Sequence, residues 1–327
     1  MDWSKQRVLV TGAGGFVGSH LTERLMALGA TVRALVHYRG SGSAGWLDQF
    51  PEHASLEKIP GDICDAGLVR ESMRGCAIVY HLAALIAIPY SYRAPGSYVR
   101  TNIEGTLNVL EAARELRPDR VVHTSTSEVY GTARYVPIDE QHPLQGQSPY
   151  SATKIAADKL VEAYHRSYAV RAVTIRPFNT FGPRQSTRAV IPTIMAQCLT
   201  RSSVRLGNLS ATRDLNFVAN TVDGFIAAAE SEAALGETIQ LGSGAEITIG
   251  ELAERIIRLN GKNVSIETDP QRLRPDASEV QRLIADNRKA EKVLGWRPRI
   301  ELDEGLRVTL NWVRENLERC QANDYHV

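Results

Sequence analysis

Arg7-Val8-Leu9-Val10-Thr11-Gly12-Ala13-Gly14-Gly15-Phe16-Val17-Gly18 decides how this chain folds. The first five residues are a short apolar run that reads as a buried strand. Glycines crowd the next seven positions, and Ser19 to Leu28 then carries apolar residues at helical spacing. Strand, glycine loop and helix in that order are the context a dinucleotide-binding fingerprint requires. Gly12 can make the tight turn, Gly15 lets the backbone approach a pyrophosphate, and Gly18 permits close packing of the helix. The phosphates would then meet the unpaired N–H groups and positive end of that helix.

Further along, residues 31–37, 56–59, 78–82, 120–124 and 172–176 are also strand-like, with helical stretches between them, clearest at 98–116 and 150–168. Such alternation predicts an α/β fold: a parallel sheet covered on both faces, with ligands at the carboxyl ends of its strands. Beyond Arg176 the rhythm loosens, and Pro177, Gly182, Pro183 and Pro192 interrupt it; helical spacing returns at 221–230 and 248–260. This divides the chain into a dinucleotide-binding domain over residues 1–175 and, over 176–327, mainly a smaller substrate-binding lobe, some of whose segments return to the first domain. No internal repeat or low-complexity tract breaks the pattern.

Composition narrows the function. With 38 basic and 37 acidic side chains the net charge is +1, which gives no electrostatic footprint for nucleic acid. No apolar stretch approaches the roughly 20 residues needed to cross a bilayer, so no membrane partner is expected. Charged residues and a strand-like run fill the first dozen positions, where no cleavable signal is visible. Cys64, Cys76, Cys198 and Cys320 lack metal-ligand spacing and read as reduced thiols. A cytoplasmic protein without a metal is the expectation.

The chemistry is signalled by Tyr150-Ser151-Ala152-Thr153-Lys154. On a helix, positions i and i+4 share a face, so the phenol and the ammonium can share one site. A free tyrosine titrates near 10, and a neighbouring cation favours the phenolate. A phenol tuned in this way can take a proton from a sugar or alcohol hydroxyl while the carbon beneath loses hydride.

Taken together these residues resemble the extended short-chain dehydrogenase/reductase family, in its nucleotide-sugar 4,6-dehydratase/epimerase branch. The likeness runs through the glycine loop, Gly61-Asp62-Ile63, His81-Leu82-Ala83-Ala84, Asn102, Ser125-Thr126-Ser127-Glu128-Val129-Tyr130-Gly131 and Tyr150/Lys154. It continues through Arg176-Pro177-Phe178-Asn179-Thr180-Phe181-Gly182-Pro183-Arg184, Arg213-Asp214, Arg274-Pro275 and Leu294-Gly295-Trp296. It implies a Rossmann-type doubly wound parallel sheet with a smaller C-terminal substrate-binding lobe. The dinucleotide would lie against Gly12, Gly15, Phe16, Val17, Gly18, His37, Arg39, Asp62, Ile63, Leu82, Ala83, Ala84, Asn102, Thr124, Tyr150, Lys154 and Pro177. Asp62 would sit near the adenine and Asn102 would support the active-site hydrogen bonds. Thr126 would hold the sugar's 4-hydroxyl, Tyr150 would remove its proton, and Lys154 would bind the nicotinamide ribose while lowering the tyrosine's pKa. Asn179, Arg213 and Arg274 fall where the family grips a diphosphate, a task suited to forked guanidinium hydrogen bonds. The family also implies a homodimer, built by packing the 98–116 and 150–168 helices against a second copy.

Glu128 bears on the reaction class. A 4-epimerase only moves hydride off C4 and back to the other face. A 4,6-dehydratase must also remove the C5 proton of the 4-ketone and help the C6 hydroxyl leave, and similar dehydratases place a glutamate where Glu128 stands. Thymidine-diphosphate-glucose dehydratases have an aspartate just before it; here that catalytic position is Ser127, a poorer acid. The Thr-Ser-Glu form resembles guanosine-diphosphate-mannose dehydratases and also UDP-glucuronate decarboxylases. The loops at 85–92 and 185–193 resemble dehydratases acting on nucleotide-linked N-acetylglucosamine in nonulosonic-acid pathways. Ile86, Ile88 and Tyr90 would then meet the sugar, with Arg184 and Val190 also on the substrate side. The expected activity is therefore 4,6-dehydration of an NDP-N-acetylhexosamine. The alternatives are UDP-glucuronate decarboxylase, NDP-sugar 4-epimerase and, without catalysis, a dinucleotide-sensing protein on the same fold. The second strand ends Ala34-Leu35-Val36-His37-Tyr38-Arg39, without the carboxylate that usually receives the NAD ribose. Arg39 therefore favours NADP over NAD, tightly bound and recycled because the net reaction is redox-neutral.

Overall fold

Alternating burial sorts the strands from the rest of the chain: Val8 and Val10 point to one side of a sheet and Leu9 to the other, all three fully buried. A computed structural model describes residues 1–272 and 280–320. Among the described residues the strands are β1 (Arg7–Thr11), β2 (Thr31–His37), β3 (Leu56–Gly61), β4 (Ile78–His81), β5 (Arg120–Thr124), β6 (Ala172–Pro177), β7 (Asn179–Phe181), β8 (Ser203–Leu206), β9 (Thr212–Phe217), β10 (Thr238–Leu241), β11 (Glu246–Thr248) and β12 (Ser265–Thr268). Seven of them make one parallel sheet in the order β10-β6-β5-β4-β1-β2-β3. The order reverses beside β1, which opens a crevice at the carboxyl ends of β1 and β4.

Helices cover both faces, as a parallel sheet requires. Phe16–Ala27 and Val218–Glu230 pack on the face that Val8, Val10, Ile78 and Tyr80 line. Ala66–Met73, Gly105–Leu116 and Pro149–Tyr168 cover the opposite face, lined by Leu9, Val79 and Val121. The smaller C-terminal lobe carries a three-stranded sheet, β11-β9-β7, and the pair β12-β8. Trp296, buried, ties it back by donating its indole N–H to the carbonyl of Asn220, 2.9 Å away.

Two features depart from the sequence expectations. The helix expected over 98–116 is regular only across Gly105–Leu116; Val99–Glu104 is a π-helix that follows a short turn at Pro95–Tyr98. The wider turn carries Asn102, whose amide bonds outside its own helix, and π-turns of this kind often sit at functional sites. Pro192, expected to interrupt, instead lies in the first turn of the helix Val190–Thr200. There an N–H has no intrahelical partner to lose.

Close packing at the first turn depends on the last fingerprint glycine. A Cβ on Gly18 would stand 2.2 Å from the carbonyl oxygen of Gly12. Gly18→Ala is therefore expected to cost about 1–3 kcal/mol, the usual range for overpacking against a part that cannot yield. An unchanged urea midpoint for this variant would remove the packing role.

Burial also fixes the stability profile on the acid side. Burial lowers the pKa of His20 to about 4, and it holds His81 well below the ordinary value; burial and the charge of Lys154 lower that of His123. The unfolded chain takes up these protons first as pH falls. Each histidine thus contributes stability that is complete above the unfolded pKa near 6.5 and is lost below it, by about 1.4 kcal/mol per pH unit. Urea midpoints at pH 7.5, 6 and 5 should fall progressively, and a flat profile would contradict neutral buried imidazoles.

Candidate active site

Every loop that leaves the carboxyl edge of the sheet near the crevice contributes to one site. After β1, Gly12 turns with φ +71°, and a Cβ there would meet the backbone nitrogen of Ala83 at 2.8 Å. Gly15 then caps the helix Phe16–Ala27 with no side-chain hydrogen bond, which leaves the first-turn N–H groups for an anion. A cradle too tight for any side chain, facing an uncapped helix start, fits a dinucleotide pyrophosphate. Phe16 and Val17 open the helix, while His37, Tyr38 and Arg39 are exposed at the end of β2. Past β3, Asp62 is exposed and accepts the N–H of Cys64 at 2.9 Å, and Ile63 is buried.

The loop after β4 is held by a directed chain of hydrogen bonds. The N–H of Ala83 donates to the Thr11 hydroxyl at 3.1 Å and that of Leu82 to the Thr11 carbonyl. Thr106 donates its own hydroxyl proton to the Asn102 carbonyl, so it must accept from Nε2–H of His81, 3.0 Å away. Nδ1 of His81 is then the acceptor for the Thr11 hydroxyl, 2.9 Å away. The Asn102 amide completes the set, bonding both backbone groups of Leu85 and the hydroxyl of Thr153. Leu82, Ala83 and Ala84 are thereby fixed across the crevice from the glycine loop.

The reactive group lies on the next two elements. Thr126 starts a 3-10 turn, Ser127–Tyr130, and its hydroxyl accepts the N–H of Glu128 at 3.2 Å. Tyr150 and Lys154 sit one turn apart in Pro149–Tyr168, a helix begun by a capping box between Ser148 and Ser151 and by Pro149 in its first turn. The Tyr150 phenol is buried beside Tyr98 and Ile88, with the side chain of Thr126 near enough to act on it. Burial raises its pKa; Thr126 works the other way, and the nearby charge of Glu128 adds to the rise. Lys154, also buried, donates to the carbonyl of Thr124 at 2.6 Å, and burial lowers its pKa to about 8. Burial is the largest influence on the phenol, and its depression by Lys154 stays an expectation.

The remaining expected residues are more scattered. Ser127 is buried at 2% exposure. Pro177 closes β6, and just beyond it Asn179 has a buried side-chain oxygen without a hydrogen-bond partner, a group poised for a ligand. Arg213, on β9, is buried and donates to the carbonyl of Thr212. Ile86 and Tyr90 form an open apolar rim. Val190 starts the helix Val190–Thr200 and packs on the core. Arg184 adopts φ +68°, pairs with Glu23 at 2.7 Å and stacks on Phe50, so it binds the lobe to the first helix. Arg274 lies outside the described residues. The sequence assigns no role to Asp158 and His123, nor to Ser125 and Arg176 within their motifs, and these four form a buried polar cluster under Lys154; the i+4 step from Lys154 to Asp158 is the one local signal of it.

Comparison with known proteins agrees with this geometry. The family model for GDP-mannose 4,6 dehydratase matches residues 9–309. A UDP-glucose 4-epimerase of Mycolicibacterium smegmatis is 35% identical over 94% of this chain and 98% of its own. UDP-glucuronic acid decarboxylase 1 of Xenopus tropicalis is 31% identical over 98% of this chain and 75% of its own. The crystal structure of DesIV, a dTDP-glucose 4,6-dehydratase from Streptomyces venezuelae with NAD and TYD bound, superposes with a TM-score of 0.87 at 31% identity, covering 96% of this chain and 98% of that one. The chain belongs to the GDP-mannose 4,6 dehydratase family, and it is an enzyme of the nucleotide-sugar dehydratase/epimerase type built on a Rossmann fold.

Proposed function

We propose that this enzyme is a nucleotide-sugar 4,6-dehydratase acting on an NDP-N-acetylhexosamine, with NDP-N-acetylglucosamine the first candidate. The observation that carries the reading is Glu128, a carboxylate on the same short turn as Thr126 and within electrostatic reach of Tyr150. A carboxylate at that position supplies the base that a plain epimerase does not need. The bound dinucleotide would supply the hydride chemistry at C4. Thr126 would hold the 4-hydroxyl, Tyr150 would take its proton, and Glu128 would remove the proton from C5 once C4 is a ketone. Lys154 would anchor the nicotinamide ribose, and Asn179, Arg213 and Arg274 the diphosphate. Ile86, Ile88 and Tyr90 offer an apolar wall to an acetamido methyl. Ser127 is a poor acid, so the acid for the departing C6 hydroxyl would be Glu128, once it has taken the C5 proton, or a water. Arg39 at the end of β2 suits the 2′-phosphate of NADP, with NAD the other candidate.

A second reading shares the same first step. The names carried by several similar proteins, among them the epimerase and the decarboxylase described above, favour 4-epimerisation or decarboxylation over an N-acetylhexosamine dehydratase. All three reactions begin by oxidising C4, and they part only in the fate of the resulting ketone.

The purified protein incubated with UDP- and GDP-N-acetylglucosamine in deuterated water separates them by mass spectrometry. Loss of one water with deuterium at C5 is the expected result. An intact mass with inverted C4 would establish the epimerase, and carbon dioxide released from UDP-glucuronate the decarboxylase. Glu128→Gln should lower the dehydration rate about 10²–10⁴-fold, the usual worth of a positioned acid or base. Tyr150→Phe should abolish turnover and leave dinucleotide binding largely intact; unchanged turnover would remove the tyrosine's role.

A further inference from the structure

Below the Tyr150/Lys154 pair lies a cluster of charge that the proposed chemistry does not use. Asp158 is one helical turn past Lys154 and is 5% exposed, so its carboxylate can be stable there only if it is fully engaged. Its Oδ2 accepts from Ser125 Oγ at 2.8 Å, from Arg176 Nε at 3.1 Å and from Arg176 Nη2 at 2.9 Å. Its Oδ1 faces His123 Nε2 at 3.3 Å. Arg176 in turn reaches the Tyr130 hydroxyl at 3.0 Å and lies over that ring.

The partners are not arbitrary. Ser125 immediately precedes Thr126, Tyr130 ends the turn that carries Glu128, Arg176 precedes Pro177 on β6, and Lys154 shares the helix with Asp158. Through Ser125, Arg176 and its own helix, one carboxylate therefore ties together the segments that present reactive side chains. It also sets the local charge. Lys154 and Arg176 are both buried cations, His123 and His81 are neutral, and Asp158 is the buried anion between them. Burial alone would raise the Asp158 carboxyl; its contact with His123 and the charges of Arg176 and Lys154 outweigh that and keep it ionised. Asp158 acts in return on Lys154, opposing the loss of its proton that burial favours.

We propose that Asp158 is a positioning residue of the active site: its buried carboxylate, anchored by Arg176 and Ser125, ties the segments that carry Thr126 and Lys154 together and sets an anion one helical turn from the Lys154 ammonium. The inference rests on the site binding a dinucleotide, and is independent of which sugar is processed. Around Lys154 the groups that share its field are Tyr150 and Asp158 on its own helix, His123 on β5, His81 on β4, Arg176 on β6, and Glu128 and Tyr130 on the 3-10 turn.

The test is the pH dependence of dinucleotide affinity, followed by NADH and NADPH fluorescence with the full chain stripped of carried-over nucleotide. In the unmodified protein, affinity should fall above about pH 8, where Lys154 loses its proton. Asp158→Asn should move that break down by at least one pH unit, which makes binding about fivefold weaker at pH 8, and Asp158→Glu should restore it. Arg176→Gln, which removes the competing buried cation from the carboxylate, should move the break upward, and gives a second arm if Asp158→Asn does not fold. A uniform loss of affinity with the break unmoved in either variant would reduce Asp158 to a packing role and overturn the proposal. An unmodified protein whose affinity is flat from pH 7 to 9.5 would overturn it as well. Failure to bind either dinucleotide at any pH would instead remove the reading of the site on which it rests.

Discussion

A parallel sheet buried on both faces leaves polar chemistry a single outlet, the edge where its strands end. Here the central strands are mainly apolar, and most of their buried polar residues stand toward the carboxyl ends: Thr11 on β1, His81 on β4, His123 and Thr124 on β5, Arg176 on β6. Each of these would be costly if left unpaired in the core. Thr11, His81 and Arg176 are instead committed to neighbours on other strands or on the covering helices, so the polar groups form networks that span strands. The same bonds that satisfy burial therefore fix the relative positions of the glycine loop, the loop after β4 and the Thr126 turn.

The consequence is a site whose electrostatics are set from beneath. Tyr150 and Lys154 are both buried, and burial acts on them in opposite directions of charge: it keeps the phenol protonated and drives the ammonium toward neutrality. Left to burial alone, the pair would settle as two neutral groups, unable to exchange a proton with a sugar hydroxyl near neutral pH. For the ammonium, the carboxylate of Asp158 opposes that outcome; for the phenol, the neighbouring Thr126 offsets burial only in part. Proximity of a lysine to a tyrosine is thus insufficient; the lysine must be kept charged, and its ammonium must be free to leave the Thr124 carbonyl for a ligand.

This explains what could be read in the sequence and what could not. Short apolar runs at 31–37 and 120–124 coincide with β2 and β5 because burial on both faces leaves no ambiguity about such segments. The Tyr150/Lys154 pair was legible because helical spacing places side chains on a face without reference to the rest of the fold. The short strands β8, β11 and β12 were not, since three or four residues carry too little period to separate strand from loop. The π-turn at Asn102 was hidden for a different reason: it is held by bonds to Leu85 and Thr153, 17 positions before it and 51 after it, and no local pattern encodes them. Arg184 shows the limit of motif reading. Its motif suggests a substrate contact; the structure pairs one end of its guanidinium with Glu23 and buries Nη1 without a hydrogen-bond partner, so that contact stays an expectation.

Such a division between buried support and open rim bears on how one scaffold supports several reactions. Deep residues such as Asp158, Arg176 and His81 are buried and bonded to the strands and helices that frame the site, and their burial makes them hard to alter without disturbing the sheet. The groups that would decide the fate of the 4-ketone stand nearer the open side: Glu128 on a four-residue turn, Ile86 and Tyr90 on an exposed loop, and Asn179 with an unfilled acceptor at the start of the lobe. Changes in those positions cost the core little. A few rim residues can therefore separate one outcome from another on a shared scaffold, which fits the chain's likeness to epimerases, decarboxylases and dehydratases alike.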